Sequence, residues 1–283
     1  MIPSVDGFFD EATHTISYLI ADPATKAAAI VDPVLDFDPK AARVSTGSAD
    51  ALLAAAQARG LDLHWILETH AHADHLSGAD YLRAKTGAKV VIGVDIEAVQ
   101  KAFGDMFEAK ADGRVFDRLV REGDVLPLGD LQIEVLQTPG HTPACVTYRV
   151  GDAAFVGDTL FMPDYGTARA DFPGGDAATL YRSIRRILAL PPQTRIFVGH
   201  DYLPEGRETF AWETTVAAER AGNVHVREGV GEAEFVSMRE ARDVTLAAPT
   251  LILPSLQVNI RAGALPDPSP SGRVFLRLPL NAL

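Results

Sequence analysis

The stretch ETHAHADHLSG, Glu68 to Gly78, places His70, His72, Asp74 and His75 within six residues, directly after the apolar run LHWIL. Three of the chain's eight histidines fall there. Imidazoles and carboxylates at the end of a strand are costly to bury unless each finds a hydrogen bond or a metal. Clusters of such groups at short spacing are the usual mark of a metal site. The stretch therefore constrains the fold: it must bring further ligands to the same strand end.

Three later segments repeat the arrangement. QTPGHTPAC puts His141 in the loop after LQIEVLQT, AAFVGDTLF puts Asp158 after AAFVG, and RIFVGHDY puts His200 after RIFVG. Each is a histidine or aspartate that ends an apolar run and begins a loop. In a packed sheet such loops gather along one edge, where open sheets bind ligands. Seven candidate ligands converge: His70, His72, Asp74, His75, His141, Asp158 and His200. An all-imidazole and carboxylate set suits zinc, iron or manganese, not copper(I) or an iron–sulfur cluster.

The remaining chain reads as an α/β protein. HTISYLIA, AAAIVD, LHWILET, KVVIG, LQIEVLQT, CVTYRV, AAFVGD and RIFVGH are strand-like. Ala49 to Gly60 and Thr179 to Leu190 read as helices, the second stopped by Pro191 and Pro192. A further helix is expected to start at Asp74 or His75 and to end before Gly87. Residues 104–118 are polar and look like an inserted loop. After His200 a helical pattern is expected through residues 207–222, followed by a Pro-rich loop and a strand-like RVFLRLPL. No internal repeat or clear linker appears. The 283 residues suit a single domain over 1–283, with a short C-terminal extension from about residue 206.

His14, His64 and His225 read as structural, and the single Cys145 as a small buried hydrophobe. One cysteine excludes an intrachain disulfide and a thiolate cage. The net charge of −12 argues against a nucleic-acid surface. The N-terminus has no signal-peptide pattern, and no apolar run reaches the ~18 residues of a membrane span. A cytoplasmic protein without a membrane partner is expected.

THAHADH together with TPGHT, FVGDTLF and VGHDY resembles the metallo-β-lactamase superfamily over roughly residues 10–205. That resemblance implies an αββα sandwich with its metal at one edge. Zinc β-lactamases carry a cysteine where Asp158 stands, and the nuclease members fit the acidic charge poorly. Two branches resemble this chain more. The glyoxalase II thioesterases hydrolyse S-acylglutathione at a dinuclear centre, and the persulfide dioxygenases oxidise glutathione persulfide with O₂ to sulfite at one iron(II). GTARADFPGG is similar to the dioxygenase pattern Arg-x-Asp-Phe, where thioesterases show Arg-Phe-Phe-Glu. LPSLQVNIRAG resembles the short dioxygenase tail, and the whole pattern looks most like the bacterial type, here without a rhodanese segment. The resemblance implies one iron(II) per chain, with zinc as a substitute, held by His70, His141 and Asp158. It places His72, Asp74, His75 and His200 around the metal, and Arg169 and Tyr202 beside the substrate. Glutathione persulfide and O₂ are the implied reactants, and a homodimer is compatible with such a chain. The complete set of seven ligands keeps a hydrolase of S-acylglutathione thioesters as the alternative.

Overall fold

The computed structural model describes residues 2–108 and 112–281. In the first half the elements run β1 (Ser4–Asp10), β2 (Thr15–Ala21), β3 (Ala27–Val31), β4 (Val34–Asp38), β5 (Arg43–Ser45), α1 (Gly47–Ala58), β6 (Asp62–Leu67), β7 (Leu76–Ser77), α2 (Ala79–Thr86), β8 (Lys89–Gly93), α3 (Ile96–Phe107) and β9 (Arg118–Val120). The second half continues with β10 (Val125–Leu128), β11 (Leu131–Gln137), β12 (Val146–Val150), β13 (Ala153–Phe155), α4 (Ala177–Ile187), β14 (Arg195–Phe197), β15 (Glu213–Thr215), α5 (Val216–Gly222), α6 (Glu232–Asp243) and α7 (Ile252–Asn259).

Two mixed sheets carry the fold, ordered β1-β2-β3-β6-β8-β9 and β10-β11-β12-β13-β14-β15. A small third sheet pairs β5-β4-β7. Strand alternation sends every second side chain to each face. In β2, Ile16, Tyr18 and Ile20 point into the space between the sheets, where they join Trp65, Leu67, Val135, Tyr148, Phe155 and Phe197. Leu19 and Ala21 point the other way, into a layer with Leu52, Leu82, Phe103 and Leu256 from α1, α2, α3 and α7. The outer face of the second sheet is covered by Leu180, Ile184 and Ile187 of α4 and Phe235 of α6. The order of layers is helix, sheet, sheet, helix, as the resemblance implied. Strands buried on both faces read as continuous apolar runs, which is why β2 and β3 were legible.

Four expectations are corrected. The helix expected from Asp74 or His75 begins only at Ala79. The amides before it are taken by tertiary partners: Gly78 N donates to Pro33 O at 2.7 Å, and Ser77 N to the side-chain oxygen of Asn259 at 2.8 Å. The 104–118 stretch is not one loop. Residues 104–107 complete α3, residues 113–115 form a 3₁₀ turn, and residues 118–120 are edge strand β9; residues 109–111 lie outside the described residues. The helical pattern expected over 207–222 becomes an irregular segment, then β15 and α5, because Arg207 and the Ala211 amide are drawn to Asp201. The strand-like RVFLRLPL forms no strand. It lies beside α7 rather than a sheet edge; the Gln257 side chain bonds its backbone at Arg277, and Arg273 O accepts from Ser269 N in a turn.

Candidate metal centre

Parallel pairing decides where the ligands meet. β3 runs parallel to β6, and β13 parallel to β14, so each pair ends at the same sheet edge. Asp32 follows β3 and His70 follows β6; Asp158 follows β13 and His200 follows β14. The two edges are tied together where Ile16 N donates to Gly199 O at 2.9 Å and Val146 N to Thr69 O at 2.9 Å. A left-handed Gly157, φ +50°, turns the chain toward Asp158; a Cβ there would stand 2.4 Å from Thr69 Oγ1.

All seven expected ligands are brought together at this edge, in two adjacent groups. His70, His141 and Asp158 form one, with His70 Nε2 at 3.9 Å and His141 Nε2 at 3.7 Å from Asp158 Oδ2. His72, Asp74, His75 and His200 form the other, with His200 Nε2 at 3.1 Å from Asp74 Oδ2 and 3.3 Å from Asp158 Oδ1. Donors bound at about 2.1 Å to one ion lie about 3–4 Å apart, so both groups have the span of a metal shell.

Four of the five imidazoles are tied at Nδ1. His141 Nδ1 pairs with Arg169 O at 2.8 Å, His70 Nδ1 with Thr69 Oγ1 at 3.0 Å, His75 Nδ1 with Thr15 Oγ1 at 3.2 Å, and His200 Nδ1 with His14 O at 3.3 Å. Their inward nitrogens differ. Nε2 of His70, His75 and His200 are buried without a hydrogen-bond partner among the described residues, as are both ring nitrogens of His72, Asp74 Oδ2 and Asp158 Oδ1. A buried polar atom left unpaired costs about 1–3 kcal/mol. Seven in one place point to cation binding at this edge. The residues present therefore fit a metal, and tying Nδ1 is how proteins fix the tautomer that offers Nε2.

Electrostatics agree. Burial, together with the neighbouring imidazoles, pushes His70 and His72 well below the usual imidazole range, which favours the neutral rings. Burial opposes ionisation of Asp74, but the surrounding histidines, led by His200, hold it well below the usual carboxylate range. Burial raises Asp158, against the pull of His200 and His141.

Sequence reasoning passed over three residues. Asp32 sits 3.0 Å from His72 Nε2, without the alignment of a hydrogen bond, and accepts from Thr69 N at 2.7 Å. It obeys the rule that found the others, a carboxylate directly after an apolar strand. Glu68, inside the opening stretch, lies behind His72 and is held by Ser77. Burial raises Asp32 to about 6, and burial plus the Asp32 charge raises Glu68 well above its usual range. Asn259 of α7 reaches across 184 and 187 positions to donate to His75 O and His72 O, each at 2.8 Å. No local sequence signal could have found it.

A cleft of about 150 Å³ opens onto Asp74, His141 and Asp158. Phe161, Tyr165, Tyr202 and Arg169 also line it. Tyr202 stacks on His200, with ring centroids 5.7 Å apart. Arg169 is held by Asp171 at 2.5 and 2.7 Å and donates to Ala247 O at 2.7 Å. Phe172 is buried against Phe103 and His141, so the ARADF segment wedges the His141 loop. His14 contributes its backbone carbonyl, His64 is on the surface beside Asp62, and His225 accepts from Thr167 N at 3.1 Å. Cys145 is buried just before β12.

A model of the metallo-beta-lactamase superfamily matches residues 12–200. The chain belongs to the metallo-β-lactamase superfamily. A probable metallo-hydrolase of Burkholderia pseudomallei is 54% identical over 99% of this chain and 100% of its own. Glyoxylase B2 of Dictyostelium discoideum is 45% identical over 99% of this chain and 97% of its own. The mitochondrial persulfide dioxygenase ETHE1 of Bos taurus is 31% identical over 92% and 89%. Among solved structures, ETHE1 from Myxococcus xanthus superposes with a TM-score of 0.75 at 33% identity, covering 93% of this chain and all of that one. The chain spans 65% of the length of the beta-lactamase hydrolase-like protein of Xylella fastidiosa. No helix among the described residues is long and apolar enough to cross a membrane.

Proposed function

We propose that this metallo-β-lactamase-fold chain is a glutathione persulfide dioxygenase, converting glutathione persulfide, O₂ and water to glutathione, sulfite and two protons. The observation that carries the reading is the separate grouping of His70, His141 and Asp158, two imidazoles and one carboxylate, of which His141 and Asp158 line the cleft. Such a facial set leaves open positions and is associated with oxygen-activating iron(II). One iron(II) per chain, bound there, would supply the electron chemistry that joins the terminal persulfide sulfur to oxygen; zinc would occupy the same residues as a substitute. The ARADF segment supports the reading by a physical route, since Arg169 O fixes the His141 tautomer and Phe172 buries its ring edge.

The chain's own residues have defined tasks in this scheme. Asp74 and His200 form a polar pair at the base of the cleft, able to hold a proton on the His200–Asp74 contact. His72 and His75 brace the loop behind them. Tyr202, Phe161 and Tyr165 wall the cleft with aromatic rings and limit water beside the reacting sulfur. Arg169 places a cation on the rim.

A second reading is favoured by a specific observation. The orphaned atoms of His72, Asp74, His75 and His200 suit a second metal, and a dinuclear centre would hydrolyse S-acylglutathione through metal-activated water. Glyoxylase B2 is among the relatives that fit it.

Metal content after anaerobic, chelator-free preparation, measured beside O₂ uptake with glutathione persulfide and hydrolysis of S-lactoylglutathione, separates the two. About one iron per chain with O₂ uptake is expected. His70→Ala, His141→Ala and Asp158→Ala should each lose metal and activity together, whereas His200→Ala and His72→Ala should keep much of the iron and lose about 10–100-fold in activity. Two metals per chain with thioester hydrolysis and no O₂ uptake would overturn the dioxygenase reading.

A further inference from the structure

Three arginines line the cleft that opens onto the metal centre: Arg169, Arg239 and Arg242. Their circumstances differ. Arg169 spends its guanidinium on both carboxylate oxygens of Asp171 and on Ala247 O. Arg239 is 1% exposed, bound to Asp243 at 2.8 Å and to Thr167 O at 3.1 Å. Both are already paired, Arg239 inside the protein and Arg169 at the rim, and their removal would unpair Asp243 or Asp171. Arg242, on the last turn of α6, is exposed and forms no side-chain hydrogen bond or ion pair among the described residues. Its charge is felt in the cleft wall at Tyr165, whose hydroxyl burial raises and Arg242 pulls back down.

The surroundings of Arg242 are those of a ligand site. Leu246 and Pro249, just beyond α6, give the same cleft an apolar lip, and Tyr165 and Tyr202 give it flat walls. In a chain of net charge −12, an uncompensated guanidinium facing a cleft is a local exception. A planar guanidinium holds a carboxylate through two parallel bonds, which an ammonium cannot copy.

The geometry points to Arg242 as the residue that binds a carboxylate of the substrate's thiol carrier, which makes the site selective for acidic, peptide-like thiols over neutral ones. This inference rests on the proposed reading of the centre. It assigns carboxylate recognition to α6, while Arg169 keeps its loop in place.

The test compares wild type with Arg242→Ala and Arg242→Lys, using glutathione persulfide and its diethyl ester, in which both carboxylates are neutralised. Steady-state O₂ uptake on iron-loaded enzyme should show KM for glutathione persulfide rising about tenfold in Arg242→Ala, equivalent to about 1.4 kcal/mol, with kcat within twofold and iron content unchanged. Arg242→Lys should recover part of the loss. The ester should show no difference between wild type and variant. An unchanged KM, or an equal rise for acid and ester, overturns the assignment. Calorimetric titration with S-methylglutathione, which cannot react, keeps the two hypotheses apart. Weaker binding in Arg242→Ala, seen even where wild type consumes no O₂, upholds the carboxylate site while the dioxygenase reading fails. Wild-type O₂ uptake with unchanged S-methylglutathione binding in the variant does the opposite.

Discussion

Replacing Asn259 should damage the metal centre from a distance. Its amide donates to His72 O and His75 O at 2.8 Å each, and its carbonyl accepts from Ser77 N at 2.8 Å. The side chain is 4% exposed, so no water can readily replace it. Asn259→Ala leaves three buried backbone groups unpaired. At the lower end of the usual penalty, about 1 kcal/mol each, the loss is about 3 kcal/mol. Asn259→Asp is nearly isosteric but brings a carboxylate oxygen against two carbonyl oxygens, so it should cost more than the alanine change when ionised. Because these three contacts clamp both sides of the loop carrying His72 and His75, metal retention should fall along with stability. Urea unfolding of chelator-treated protein gives the first quantity, and competition for metal with a coloured chelator gives the second. Leu256→Ala, in the same helix and the same apolar layer but without a hydrogen bond to the loop, serves as a control for general damage to α7. A loss below about 1 kcal/mol for Asn259→Ala, or metal retention no weaker than in the Leu256→Ala control, would refute the clamp.

Cys145 should be inert: burial raises its thiol to about 12 despite the bonds from Thr142, so a thiol reagent at pH 8 should modify it only after denaturation. Rapid labelling of the folded protein would contradict the packing. His225 should make stability depend on pH. Burial, Arg239 and Arg242 lower its folded value to about 4 from an ordinary value near 6.5, so the unfolded chain binds more protons between those limits. Its contribution is therefore complete above about pH 6.5 and is lost as pH falls toward 4. His225→Asn should reduce the difference in urea stability between pH 7 and pH 5, and an unchanged difference would count against this assignment.

The sequence alone determined the two things that local chemistry can write. Apolar runs such as TISYLIA and AAAIV read as strands from their β-branched and large apolar residues, and the structure buries them on both faces. His and Asp residues placed directly after such runs had to arrive at strand ends, so the seven ligands could be named before any contact was known. Boundaries set by distant partners were not written there. The helix after the histidine loop starts at Ala79 rather than at Asp74 because Pro33 and Asn259 claim the amides before it. RVFLRLPL has strand composition but finds no edge to pair with, and pattern without a partner does not make a strand. Asp32, Glu68 and Asn259 became parts of the site only when parallel strand pairing and the packing of α7 carried them there. The resemblance singled out Arg169 alone; folding paired Arg169 with Asp171 and Arg239 with Asp243, and left Arg242, which the sequence reading passed over, facing the cleft. Ligand type and strand character follow from each residue's own hydration cost, which sequence records, whereas pairing, clamping and the freedom of a charge follow from which neighbours the fold supplies.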